Sequence, residues 1–262
     1  RILSIDTSKA EALPGVSGVV TGSRVAETIS PIPSAVRVPI KFYPIALDRV
    51  RYVGEPVAVV IAEDRYVAED ALELISVDYE ALPATADPEA AMADNATLLH
   101  EDVGSNVVHH RTFQYGDPDG AFERADRVVK LDWRYPRYAS TPMETYGMVA
   151  NFEKQPDRYT IWSNFQGPFI LHALMTGALG VPGNRLRLIT SPHSGGSFGI
   201  KQAMFPYMVL LAACSRLLGC PVKWIEDRLE HLTASSTGAD RADGVEAAFS
   251  KDGELLALKF NN

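Results

Sequence analysis

Apolar and polar residues alternate over 1–5, the two-residue period of a strand with one face toward a core, and residues 255–260 also predict a strand. An unbroken apolar run over 57–62 instead predicts a strand covered on both faces. Directly after it, Asp64 is placed to cap a helix in which Ala68, Ala71, Leu72 and Ile75 share one stripe, while Glu69, Asp70 and Glu73 fall on the other side. The stretch 29–44 carries Pro31, Pro33, Pro39 and Pro44, and predicts an extended surface excursion rather than a regular element. Asp87-Pro88-Glu89 and Asp117-Pro118-Asp119 each set a capping carboxylate before a proline, whose missing N–H costs nothing in the first helical turn. Both predict helix starts.

Further along, the pattern predicts strands over 127–135, 147–152, 158–162, 186–190 and 222–225, partly paired antiparallel, and helices over 168–179 and 202–218. Pro168 suits the first turn of its helix, and Gly180 with Pro182 stops it. The polar stretch 95–105 separates the two halves. The expectation is therefore an α+β chain with a first domain over 1–95, a linker over 96–106 and a second domain over 107–262. Strands without partners at both ends read as an internal piece of a longer polypeptide, with no signal sequence in view.

Charge and composition narrow the function classes. The net charge is −8, and no block of Lys and Arg occurs, so the electrostatic term that drives nucleic-acid binding is missing. The apolar run over 204–218 is shorter than the ~20 residues a bilayer needs and contains Arg216, which makes it a core helix and not a membrane span. Cys214 and Cys220 lie in or just after that run and supply neither a disulfide framework nor a metal-ligand or iron–sulfur spacing, so they read as reduced thiols of a cytoplasmic protein. The histidines form no metal cluster. His109-His110 reads as a solvated strand start, His193 as a turn residue, and Glu226-Asp227-Arg228 as a helix start with no chemistry of its own.

Ser194–Gly199 stands between a strand and a helix, where glycines let backbone N–H groups approach a ligand. Gly199-Ile200-Lys201-Gln202 lacks both the spacing and the final residue of a phosphate-binding loop, which excludes nucleoside triphosphates. The dinucleotide fingerprint is a nearer miss: Gly196 and Gly199 are spaced correctly, Ser194 replaces the first glycine, and Glu226 follows the next strand as a possible ribose ligand. A Rossmann-type oxidoreductase and a plain tight turn both stay open at this point.

Several motifs in order carry a resemblance. RVRYVGEPVAVVIAEDRYVAEDALELISVDYEALPA over 49–84, PMETYGMVA over 142–150, Gln166 ahead of its helix, LGVPGNRLRL over 179–188 and SGGSFGIK over 194–201 together resemble the large, molybdopterin-binding subunit of the xanthine oxidase and aerobic carbon monoxide dehydrogenase family of molybdenum hydroxylases. The resemblance implies a small hammerhead-like α/β domain followed by the first part of a mixed-sheet molybdenum-cofactor domain. It implies that Gln166 hydrogen-bonds an oxygen ligand of molybdenum, and that Gly195, Gly196, Ser197, Phe198 and Gly199 face the cofactor. Lys201 and Gln202 would reach the substrate cavity, and Glu144 matches a glutamate of many members. Gln202 stands where purine-oxidising members have a substrate-binding glutamate, which argues against xanthine. Ser197 replaces the family's third loop glycine, which restricts the backbone and leaves a cofactor-free structural or assembly subunit as the alternative.

The implied activity is a two-electron oxidation of a small electron-poor substrate, an N-heterocycle, an aldehyde or carbon monoxide, with water as the oxygen source. The implied cofactor is molybdopterin, as the cytosine dinucleotide, with iron–sulfur clusters and FAD on partner subunits. The family's general base, most pterin contacts and any copper-binding cysteine are expected beyond residue 262. That would leave the span without a catalytic residue of its own and inactive alone, dependent on the remainder of the large subunit, an iron–sulfur subunit and a flavin subunit.

Overall fold

In the computed structural model, which describes every residue except Ala35, Arg37 and Ala239, the strand Ala58–Ala62 pairs antiparallel with Val16–Thr21. Its two faces feed two apolar clusters. Val59 and Ile61 join the larger one with Val20, while Ala58 and Val60 pack with Ala10, Val19 and Ala71 in the smaller. The unbroken apolar run thus has the two-sided packing it predicts. Ile2–Asp6 pairs antiparallel with Ser76–Tyr79, so the alternating segment at residues 1–5 finds its partner within the chain.

Asp64 caps Arg65–Leu72 by accepting the Val67 N–H at 2.9 Å. Ala71 is fully buried in that helix, but Leu72 is exposed because the helix ends there and the chain turns before Ile75 reaches the cluster. The proline-rich excursion has no regular element among its described residues, although Ile29 and Ile32 are buried in the core. The Ile32 N–H bonds to the Phe42 carbonyl at 2.7 Å, which folds the excursion back on itself; Ala35 and Arg37 lie outside the described residues.

The chain divides into two units, one from Arg1–Leu82 with Ala139–Ser236 and one from Pro83–Tyr138 with Thr237–Asn262. The first contains a four-stranded sheet in the order Val222–Ile225, Gly147–Glu153, Arg158–Ser163, Leu186–Ile189. The first two neighbour pairs are antiparallel and the last is parallel. Pro168–Leu179 is the crossover helix that a parallel pair requires. Gly180, at φ 65°, ends it as expected of a residue without a Cβ. Met148 and Ala150 alternate inward from one strand and Tyr159 and Ile161 from the next, against Met175 and the helix Phe205–Leu218.

The helix predicted over 202–218 is two helices, Ile200–Ala203 and Phe205–Leu218, joined at Met204. Pro206 brings no N–H to continue one helix into the other, and sits in the first turn of the second, where none is needed. Ser215 ties this helix to the sheet, accepting the Phe152 N–H at 3.0 Å and donating to the Cys220 carbonyl at 2.7 Å. Cys214 is buried and its thiol is pushed up to about 12 by desolvation, so it stays a packing group.

The second unit has an antiparallel sheet of Leu255–Asn261, Arg241–Phe249 and Arg127–Tyr135. Asp117 caps Pro118–Glu123 as its sequence predicts, by accepting the Gly120 N–H at 3.0 Å. Asp87 makes the same kind of cap to Ala90, but only the short 3₁₀ turn Ala90–Met92 follows. In the polar stretch after it, Asn106 accepts the Leu99 N–H and donates to the Ala91 and Thr97 carbonyls. No helix among the described residues is long and apolar enough to cross a membrane.

Candidate functional site

Because Arg158–Ser163 and Leu186–Ile189 run parallel, their carboxyl ends reach the same edge of the sheet. Gln166 follows the first strand and the loop Ser194–Gly199 follows the second, so residues 31 positions apart meet without a long-range motif. Beyond the carboxyl ends of parallel strands joined by a crossover helix is where such folds bind ligands, and one pair of this mixed sheet has that form. Ser197 Oγ–H donates to Gln166 Oε1 at 2.5 Å and accepts the Lys201 N–H at 3.3 Å. No hydrogen bond to the Gln166 side-chain N–H donors occurs among the described residues, and the residue is exposed. Gln202 lies against the same spot: a Cβ on Gly167 would sit 3.5 Å from its side-chain amide.

The loop backbone is unusual in a way that explains which glycines it contains. Gly196 has φ 100°, Phe198 φ 51° and Gly199 φ 91°, all in the left-handed region, while Ser197 does not. Serine at the third position of the motif therefore carries no such strain, contrary to the restriction expected from sequence. Phe198 does, and its ring is 76% exposed. Its carbonyl is held by Ser140 Oγ–H at 3.1 Å.

Glu144 anchors the other side of the loop. Its Oε2 accepts the Gly195 N–H at 3.1 Å and pairs with the Lys201 ammonium, while its own N–H donates to the Gly195 carbonyl at 3.3 Å. Partial burial raises the Glu144 carboxyl, but the Lys201 ammonium, the Gly195 N–H and the Asn164 side chain together outweigh it and hold the group below its ordinary range. Lys201 is 1% exposed, so it braces the loop from inside and does not reach outward toward a substrate as its position beside Gln202 suggested. Gly195 must be glycine because a Cβ there would lie 2.4 Å from the Glu144 Cβ. Gly195→Ala is expected to cost about 1–3 kcal/mol through this clash. Gly199→Ala, with nothing within 4 Å of its Cβ, should lose only the backbone strain, about 1 kcal/mol. Urea unfolding of the two variants compares them, and equal losses would show that the contact with Glu144 is not felt.

The segment carrying Ser140 and Glu144 is itself held by the helix Arg228–Ala234. Arg228 Nη2 donates to the Pro142 and Met143 carbonyls at 3.0 and 2.9 Å. His231 Nε2–H donates to the Ser140 carbonyl at 2.9 Å, and Nδ1 lies 2.8 Å from Glu226 Oε2. Glu226 Oε2 also accepts the Tyr146 N–H at 3.0 Å, and the Glu226 N–H donates to the Tyr146 carbonyl at 2.9 Å. Both side chains are 1% exposed. Asp227 caps the helix with Glu230 in a reciprocal capping box, as the acidic helix start predicts. Nothing local in the sequence points to the Glu226–His231 pair, since an acid before a cap and a histidine five residues on is ordinary helix spelling. Buried and bonded to His231 and Tyr146, Glu226 is not placed to hold a ribose. His109, His110 and His193 are exposed.

Residues 1–83 match the family model of the aldehyde oxidase and xanthine dehydrogenase a/b hammerhead domain, and residues 99–262 match that of the molybdopterin cofactor-binding domain. The carbon monoxide dehydrogenase large chain of Afipia carboxidovorans is 37% identical over 99% of this chain and 33% of its own length. A 6-hydroxypseudooxynicotine dehydrogenase complex subunit gamma of Paenarthrobacter nicotinovorans is 35% identical, again over 99% of this chain and 33% of the relative. The chain thus spans about a third of the length of these curated relatives. Among solved structures, quinoline 2-oxidoreductase from Pseudomonas putida 86 superposes with a TM-score of 0.88 at 34% identity, covering 99% of this chain and 33% of that one.

Proposed function

The chain belongs to the molybdopterin-binding large-subunit family of the molybdenum hydroxylases, and from that premise we propose that it forms one wall of the cofactor site of such an enzyme. The observation that carries this reading is the meeting of Gln166 with the loop Gly195–Gly199 at the carboxyl edge of two parallel strands. The donor set fits the group: Gln166 offers amide N–H donors without a partner among the described residues, and the loop exposes backbone that only glycine-like angles allow. Gln166, Gly195, Gly196, Ser197, Phe198 and Gly199 would hold the cofactor. Gln202, beside Gln166, would meet the substrate. Glu144 would do so only through the oxygen that Lys201 and Gly195 leave free.

When bound, the molybdenum cofactor supplies the two-electron redox chemistry. The part of this chain is to orient: the Glu144–Lys201 pair and Ser140 fix the loop, and the Gln166 amide would donate a hydrogen bond to an oxygen of the bound group. The activity we assign is oxidation of a small electron-poor substrate, an N-heterocycle, an aldehyde or carbon monoxide, with water as the oxygen source. Relatives named for carbon monoxide and for nicotine-derived compounds support that range. Electrons would pass to iron–sulfur and flavin partner subunits, and the pterin would carry a cytosine nucleotide. Metal and pterin analysis of the intact complex tests the reading. Stoichiometric molybdenum with a dinucleotide pterin is the expected result, while folded complex free of both would replace it with a cofactor-free structural subunit.

A further inference from the structure

We propose that Ser197 is a positioning residue for Gln166, and that it selects the one amide orientation that presents N–H donors to an acceptor oxygen of the bound group. The inference rests on the assignment of Gln166 to the cofactor wall and adds a residue whose role comes from its own hydrogen bonds in this chain.

The backbone makes room for it. Positions 196, 198 and 199 need left-handed angles, and Ser197 between them does not, so this is the position in the turn that accepts a side chain without strain. The hydroxyl is then fixed from behind, since Oγ accepts the Lys201 N–H at 3.3 Å. Lys201 in turn is anchored by its buried ammonium on Glu144. The single Ser197 O–H is directed to Gln166 Oε1 at 2.5 Å.

A glutamine in an exposed loop otherwise samples several rotamers and both orientations of its amide, presenting oxygen or nitrogen with little preference. With Oε1 held by Ser197, the end left for a ligand is the NH2 group, which only donates. The site is thereby set to recognise a hydrogen-bond-accepting oxygen and to disfavour a donor. Glycine at position 197 has no atom that can do this.

The test uses the intact, molybdenum-loaded complex, partly reduced with sodium dithionite so that no substrate need be known, and reads the Mo(V) electron paramagnetic resonance signal with molybdenum content measured alongside. Ser197→Ala and Ser197→Gly should shift the signal in the direction that Gln166→Ala does, Ser197→Thr should keep the parent signal, and Ser197→Ala should add nothing in a Gln166→Ala background. Ser197→Gly, which removes the hydroxyl and leaves only backbone, serves if the alanine variant fails to fold. A shifted signal in Gln166→Ala with parent-like signals in both Ser197→Ala and Ser197→Gly would overturn the role of Ser197 alone. A parent signal in fully loaded Gln166→Ala would instead remove Gln166 from the cofactor wall, and the role of Ser197 with it.

Discussion

Glu226→Leu is expected to destabilise the fold by about 2–5 kcal/mol, since each of two buried groups left without a hydrogen-bond partner costs roughly 1–3 kcal/mol. The substitution leaves the His231 Nδ1 and the Tyr146 N–H, both bonded to Glu226 Oε2, without a hydrogen-bond partner in a buried site. His231→Leu should cost a similar amount by stranding the carboxylate and the Ser140 carbonyl. The double variant Glu226→Leu/His231→Leu should lose clearly less than the sum, because it strands two polar groups, the Tyr146 N–H and the Ser140 carbonyl, where the two single changes together strand four. Denaturant unfolding of the parent, the two singles and the double measures the coupling. Additive losses would mean that the two side chains act separately, and that the contact between them does not hold the segment bearing Ser140.

The second large effect is asymmetric. Glu144→Ala should cost about 3 kcal/mol, because it leaves the Lys201 ammonium, whose side chain is 2% exposed, without its counter-ion. Lys201→Met should cost less, since the Glu144 side chain is 38% exposed and water can solvate the carboxylate left behind. The same pair sets a pH dependence. The Glu144 carboxyl is held below its ordinary value of 4.5, so its contribution is complete above that value and is lost as the pH falls through the depressed one. Unfolding midpoints of parent and Glu144→Gln across the acid range should converge as the pH drops. A difference that persists to the lowest pH at which the parent folds would show that the carboxylate charge is not what stabilises the loop.

The elements themselves were legible because each had a local cause. Residues 127–135, 168–179 and 222–225 fold as their patterns predict, and Asp64, Asp117 and Asp227 cap where a short acid precedes a helix. The errors were also local. The helix predicted over 202–218 continues an apolar pattern through Pro206, which interrupts the backbone bonds without interrupting the pattern. The proline-rich excursion looked like surface because prolines forbid regular bonding, yet Ile29 and Ile32 still enter the core.

The glycine-rich loop, Gln166 and Glu144 stand out by residue type and order, and the family those motifs resemble is the one to which the chain belongs. What the sequence could not settle was how those residues meet. Only the parallel pairing of Arg158–Ser163 with Leu186–Ile189 sets Gln166 beside Ser197, and only the turn geometry shows that serine is free of strain while Phe198 is not. Lys201 looked like a residue reaching outward and is buried on Glu144; Glu226 looked like a cap neighbour and is buried on His231. The physical reason is one of range. Propensity, capping and periodicity act over a few residues and leave a mark in the local pattern, whereas a polar group's partner is chosen by the whole fold, and nothing near it in the chain records that choice.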